Sequence, residues 1–315
     1  MPCRVGHADL LNRVSTRTDC RTESMEARQE PSADPHYVHF TYTRPMSTTS
    51  DHRAVLSEWF NYCQLDNAQL HTFDDQGYLV IGPMLTDAGL HRMRDDCMAA
   101  WQAEKDEFKV DGTWLENALL TNIHHHSDCV RQYYFSGPLV DVATQVIGPN
   151  IKAATTQLTF KMRGNTQSFG WHQDNAYGEL DPYNAISCLT ALDNADLENG
   201  CLWLVPGSHK EGQVEYEHSI EDKKEHRDIE MDVDESRAVP MPLKAGYSLF
   251  FHCHMLHKSE GNKSKERDRR ILFMRYADAD AVEVYNNRQP RVGRLVRGTT
   301  KFDAVRDYEY NMPLW

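Results

Sequence analysis

Five short apolar runs dominate the second half of the chain: ATTQLTFKM (154–162), NAISCLTALD (184–193), GCLWLVPG (200–207), YSLFFHCHML (247–256) and RRILFMRYA (269–277). Turn formers punctuate them at Gly164-Asn165, Asp193-Asn194, Asn199-Gly200 and Pro206-Gly207. Several short strands with regular turns predict a sandwich or a barrel, not the parallel sheet of βαβ units. Upstream, YLVIGPML (78–85) reads as a strand that stops at Gly82-Pro83. Thr86 then caps a helix whose Leu90, Met93, Cys97 and Trp101 fall on one face. The expected class is mainly β with flanking helices (α+β), without internal repeats.

The chain has 315 residues, 40% of them hydrophobic, enough for one substantial core with room for tails. No apolar run approaches the roughly 18 residues of a membrane span. A formal net charge of -13 argues against nucleic acid or an anionic membrane as partner and leaves a small molecule. Eight cysteines are scattered without a C-x-x-C pair, which predicts reduced thiols in a cytoplasmic protein. Residues 1–68 are rich in Ser, Thr, Arg, Asp and Glu and read as a mostly disordered extension, with 69–315 as the folded domain. The acids of that extension argue against a transit peptide. Residues 211–240 hold eleven acids against four Lys or Arg, and read as a solvated insertion or a lid. Residues 281–315, with Arg288, Arg291, Arg294, Arg297, Tyr285, Tyr308 and Tyr310, are expected to wrap the core or to form a homodimer contact.

The stretch GWHQDNAYG (170–178) sets His172 two residues from Asp174. Residues two apart on a strand project to the same side, so both could reach one ion. A non-haem iron site asks for two histidines and a carboxylate on one face of the metal. Alone, H-x-D equally suits a histidine held in a turn. Downstream, HCHMLHKSEGNKSKERDRR (252–270) offers His252, His254 and His257, then Asn262, Ser264, Arg269 and Arg270. An arginine opening a core strand is costly unless it meets an anion, and a dicarboxylate would satisfy it. Strand parity does not choose the third ligand. Gln157 and Lys161, four apart on one strand, share a face and are candidates to bind cosubstrate or substrate. Trp171 is expected to wall the metal. The triple His124-His125-His126 has no acid at ligand spacing and reads as a loop, with one member free to reach the pocket.

WHQDNAYG, ALDNADLENGCLWLVPGSHK, the stretch from Leu256 to Arg270 and the opening FDDQGYLVIGPML together resemble the phytanoyl-CoA dioxygenase family of Fe(II)/2-oxoglutarate oxygenases, from about Phe73 to Tyr276. The resemblance implies a double-stranded β-helix (a cupin-like jelly roll) that uses Fe(II), 2-oxoglutarate and O2. It implies His172, Asp174 and His257 as metal ligands and catalytic centre. It assigns Arg269 to the far carboxylate of 2-oxoglutarate, with Arg270 as fallback because the interval from His257 is one residue longer than usual. Leu189 stands where relatives often carry a tryptophan. The presence of Asp174 sets the site apart from halogenases. The expected activity is oxidation, foremost hydroxylation, of a C–H bond in a small metabolite or natural-product intermediate, with 2-oxoglutarate converted to succinate and CO2. The competing readings are a cupin-like metal-binding protein without oxygenase activity, a zinc hydrolase on a similar barrel, and, among oxygenases, an acyl-CoA hydroxylase.

Overall fold

The apolar runs pair into antiparallel sheets in the computed structural model, which describes residues 56–313 apart from 106–108, 111–112, 115–116, 165, 178 and 215–230. Helix α1 (Asn67–Gln76) leads into β1 (Tyr78–Ile81) and α2 (Asp87–Glu104). A short hairpin of β2 (Lys109–Val110) and β3 (Thr113–Trp114) precedes β4 (Asn117–Thr121), α3 (Asp128–Ser136) and α4 (Pro138–Ile147). Then come β5 (Ile151–Lys161), β6 (Phe169–His172), β7 (Leu180–Asp181), β8 (Ala185–Ala191), β9 (Leu202–Leu204) and β10 (Val239–Met241). The chain continues through β11 (Ser248–His252), β12 (His257–Ser259), β13 (Arg269–Asp278), β14 (Val282–Glu283), β15 (Gln289–Pro290) and β16 (Arg294–Arg297) to α5 (Asp303–Asp307).

A seven-stranded sheet runs β1-β11-β8-β13-β5-β16, with β4 also on β5; a four-stranded sheet runs β10-β9-β12-β6. Strand alternation gives each face of the large sheet its own partner. Ile186, Cys188, Phe250, Leu272, Met274, Leu158 and Phe160 pack with Met93, Cys97, Trp101 and the residues of α3 and α4. Leu189, Ala191, Leu249, Phe251 and Ile271 face the other way, onto Leu202, Leu204 and Met241 of the small sheet. Two sheets face to face, with helices outside the larger one, make the double-stranded β-helix that the resemblance implies. The site lies on the inner faces. Among the described residues no helix is long and apolar enough to cross a membrane.

The expected domain edges need correction. Leu56, Phe60 and Leu65 are buried in the main core, so the packed chain includes residues that the boundary at 68 leaves out. The reason is local: a Cβ at Gly89 would lie 1.9 Å from the Trp59 carbonyl oxygen, so this glycine lets α2 press against the 56–60 segment. Residues 1–55 lie outside the described residues, as do 215–230 of the acidic insertion. The insertion's flanks belong to the fold. Met231 packs with Trp171, Val205 and Leu256, and 239–241 form a strand of the small sheet. The C-terminal segment wraps its own chain: β14 pairs with β7, and β16 with β5.

Candidate metal centre

His172 ends β6, and His257 begins β12; the two are cross-strand neighbours. Their rings lie 4.1 Å apart. Asp174 is no longer on the strand. It opens a 3-10 turn, Asp174–Tyr177, so its convergence with His172 comes from the turn and not from strand periodicity. The turn is pinned on both sides of the carboxylate. The buried Gln173 amide donates to the carbonyls of Gly212 (2.9 Å) and His254 (2.7 Å) and accepts from the Val214 amide. Asn175 Oδ1 accepts from the Leu180 amide and from Arg275.

The ligand atoms of His172, Asp174 and His257 all lie within 4.8 Å of one another. Each histidine directs Nδ1 at a carbonyl, Gly170 O at 2.8 Å and Met255 O at 2.9 Å. Carbonyls only accept, so Nδ1 carries the hydrogen and Nε2 presents a lone pair. Those Nε2 atoms face Asp174 Oδ1 at 3.9 and 3.5 Å. Burial pushes the His172 pKa down to about 3, which keeps its ring neutral. Burial works against ionised Asp174, but the polar surroundings, the Arg275 guanidinium among them, outweigh it and hold the carboxyl well below its usual range. Three acceptors thus converge, an arrangement that a cation stabilises. Ser187 Oγ donates to the other oxygen, Asp174 Oδ2, leaving Oδ1 toward the histidines.

Neither His252 nor His254 joins this group. β11 ends at His252 in the large sheet, and the chain crosses to the small sheet before His257. Parity counted along one strand therefore had no meaning here. His254 is buried against Tyr183 and Asn175.

Arg269 opens β13 on the inner face and is 1% exposed. Its Nε and Nη2 have no hydrogen-bond partner among the described residues, and burial pushes its pKa down to about 10. Arg270 points the other way. Its guanidinium and its backbone amide are all engaged by Asp193, at 2.6 to 2.9 Å. Gln157 is half-buried on the inner face of β5. Lys161 shares that face, but its ammonium is spent on Ser259 Oγ and the carbonyls of Glu260, Gln167 and Ser259, so it ties the two sheets together. Trp171 does not wall the metal. It alternates with His172, points outward, and donates to Glu235 across the insertion's flank.

With this geometry in hand, the family is decided by sequence: the profile described as phytanoyl-CoA dioxygenase matches residues 73–271. The chain belongs to the phytanoyl-CoA dioxygenase family. It is therefore an iron- and 2-oxoglutarate-dependent dioxygenase. It is 26% identical over 230 residues to the methylphosphonate hydroxylase of Gimesia maris, covering 70% of this chain and 85% of that one. It is 26% identical over 280 residues to the peroxisomal phytanoyl-CoA dioxygenase of Rattus norvegicus, covering 80% and 82%. The solved structure of the non-haem monooxygenase ThoJ in its apo form superposes with a TM-score of 0.59 at 23% identity, covering 73% and 84%.

Two residues escaped the reading of the sequence. Ser187 carries no signal beyond lying in a core strand. Arg275 did carry one: it interrupts an apolar strand six residues from Arg269, and even spacing puts both on the inner face. Its guanidinium reaches the Asp174 carbonyl and Asn175 Oδ1.

Proposed function

We propose that this family member hydroxylates a C–H bond of a small metabolite, with 2-oxoglutarate as cosubstrate, at a centre held by His172, Asp174 and His257. The observation that carries the reading is the pairing of a convergent His-Asp-His triad with a buried guanidinium whose Nε and Nη2 have no partner among the described residues. Iron with 2-oxoglutarate supplies oxidation of a C–H bond by O2, with succinate and CO2 as co-products. The protein's part is placement. His172 and His257 are aimed by their Nδ1 carbonyl bonds, and Asp174 by Ser187 and the pinned turn. Arg269 lies at the level of Lys161, its cross-strand partner. Lys161 in turn bonds Ser259, two residues or about 7 Å along β12 from His257. Arg269 thus faces the same inner space as the triad, where the far carboxylate of a dicarboxylate held at the centre would meet it. Leu189 and Phe251 are buried on the inner side, Phe251 with its ring 4.7 Å from His257, so an ion pair formed at Arg269 would lie in apolar surroundings.

A small substrate is favoured over an acyl-CoA by the state of the basic residues. Arg288, Arg291 and Arg297 are each paired, with Asp181, Glu283 and Asp141. None of these pairs leaves a cluster open to the phosphates of coenzyme A. The six described cysteines all carry free thiols, which supports a reducing, cytoplasmic setting. Succinate release over a panel of small acids, amines and CoA thioesters tests the reading. Turnover with a free small metabolite is expected. Turnover confined to CoA thioesters would overturn the substrate class, and no succinate in the absence or presence of any compound would overturn the site assignment.

A further inference from the structure

We infer that His124, His125 and Glu309 form a second cation site, for a borderline divalent metal such as zinc or nickel, that fastens the C-terminal segment to the core. The acid that joins these histidines comes from 184 residues downstream. His124 and His125 lie in a single 3-10 turn, Ile123–His125, with rings 4.3 Å apart. Glu309 Oε2 lies 3.2 Å from His124 Nε2, and Oε1 lies 2.7 Å from His125 Nε2. The edges of a tetrahedron around zinc are about 3.3 Å for nitrogen and oxygen ligands. The ligand atoms therefore already stand near bonding separations.

Two further features favour a built site. His124 Nδ1 is held by Thr156 Oγ1 at 2.6 Å, the kind of outer contact that orients a metal-ligating imidazole. Glu309 is one of few non-glycine residues in left-handed backbone, φ 50°, a conformation that side chains seldom adopt without a constraint. The carboxylate is the formal charge between the two rings. The nearby Arg131 is compensated by Asp128. Thr156 sits on the outer face of β5, opposite Gln157, so this site is separate from the first centre and His124 does not reach the inner pocket. A fourth position is open to solvent on the side of His125, which is 42% exposed.

The test uses full-length protein carrying His172→Ala and Asp174→Ala, which disables the first centre. Dialysed against zinc alone and assayed by elemental analysis, it should retain about one zinc per chain and melt at a higher temperature. Glu309→Gln and, separately, His125→Ala should each weaken zinc retention roughly 100-fold. His125 is partly exposed, so its truncation spares the core. In the wild-type chain the same variants should lower the metal count from two to one. Zinc that is not retained, or that both variants retain as well as the parent, would show these residues to be only a hydrogen-bonded latch.

Discussion

Asp174 answers to two partners at once. Ser187 occupies Oδ2 while Oδ1 faces both histidines, so the serine aims the carboxylate without competing for the metal. Ser187→Ala should therefore weaken Fe(II) binding about 10- to 100-fold while leaving the fold intact, checked by anaerobic metal titration. His172→Ala, Asp174→Ala and His257→Ala should each abolish turnover and Fe(II) retention, whereas His254→Gln should keep Fe(II). Arg269 gives a sharper contrast. Arg269→Ala should cost about 2 to 5 kcal/mol of 2-oxoglutarate affinity, roughly 30-fold to several thousand-fold, with Fe(II) binding retained. Arg270→Ala should leave cosubstrate affinity unchanged, because that side chain is already paired with Asp193. Calorimetric titration of 2-oxoglutarate into the anaerobic iron form separates the two variants.

The crossing from β11 to β12 sets the properties of an element and not of a side chain. It brings the half-buried His252 and the buried His254 together with Tyr183 and His209, outside the group of metal ligands. Burial pushes both pKa values down to about 4 from 6.5, and their mutual proximity adds to the shift at His252. Below pH 6.5 the unfolded chain takes up protons that the folded chain refuses. Stability present above pH 6.5 should then fall toward pH 4, by on the order of 1 kcal/mol per histidine at pH 5.5. Denaturant melts of the apo protein should show a shallower pH dependence in His252→Gln/His254→Gln. On β5, Lys161 links the sheets through Ser259 and Glu260. Lys161→Met should cost about 1 to 3 kcal/mol of stability by leaving buried carbonyls unpaired, with little change in 2-oxoglutarate affinity. A large loss of cosubstrate binding at normal stability would instead return Lys161 to the binding site.

At the scale of the whole molecule, the two ends of the described chain differ in what they support. Phe60 is 1% exposed and packs at a tilt against the Tyr133 ring, so it anchors the segment before α1. Phe60→Ala should cost about 3 to 5 kcal/mol, read from a urea melt. Deleting residues 1–45 should preserve the melting midpoint and turnover, because that segment is rich in Ser, Thr, Arg, Asp and Glu and carries little apolar surface to pack. The C-terminal segment is different. It adds β16 to the large sheet, pairs β14 with β7, and delivers Glu309 to the histidine turn, so its removal should lower the midpoint.

Strand and turn chemistry is local, so the alternation of apolar residues, the turn pairs and the Thr86 cap were legible in the sequence. They were enough to point to a sandwich or barrel, and the ordered motifs around His172, Asp174, His257 and Arg269 were enough to place the family. What the sequence could not carry was anything that depends on facing or on distant partners. Whether Trp171 lines the metal or the outer layer, whether Arg269 or Arg270 is already paired, and whether Lys161 is available all turn on which side of a strand meets which sheet. The parity of 252, 254 and 257 failed because the chain changes sheets between them. Glu309 joined His124 and His125 only through folding, since no local pattern records a contact across 184 residues. Side-chain identity determined which chemistry the chain can hold; tertiary structure decided which of those groups are desolvated together, and desolvation is what turns an acceptor cluster or an unpaired guanidinium into a site.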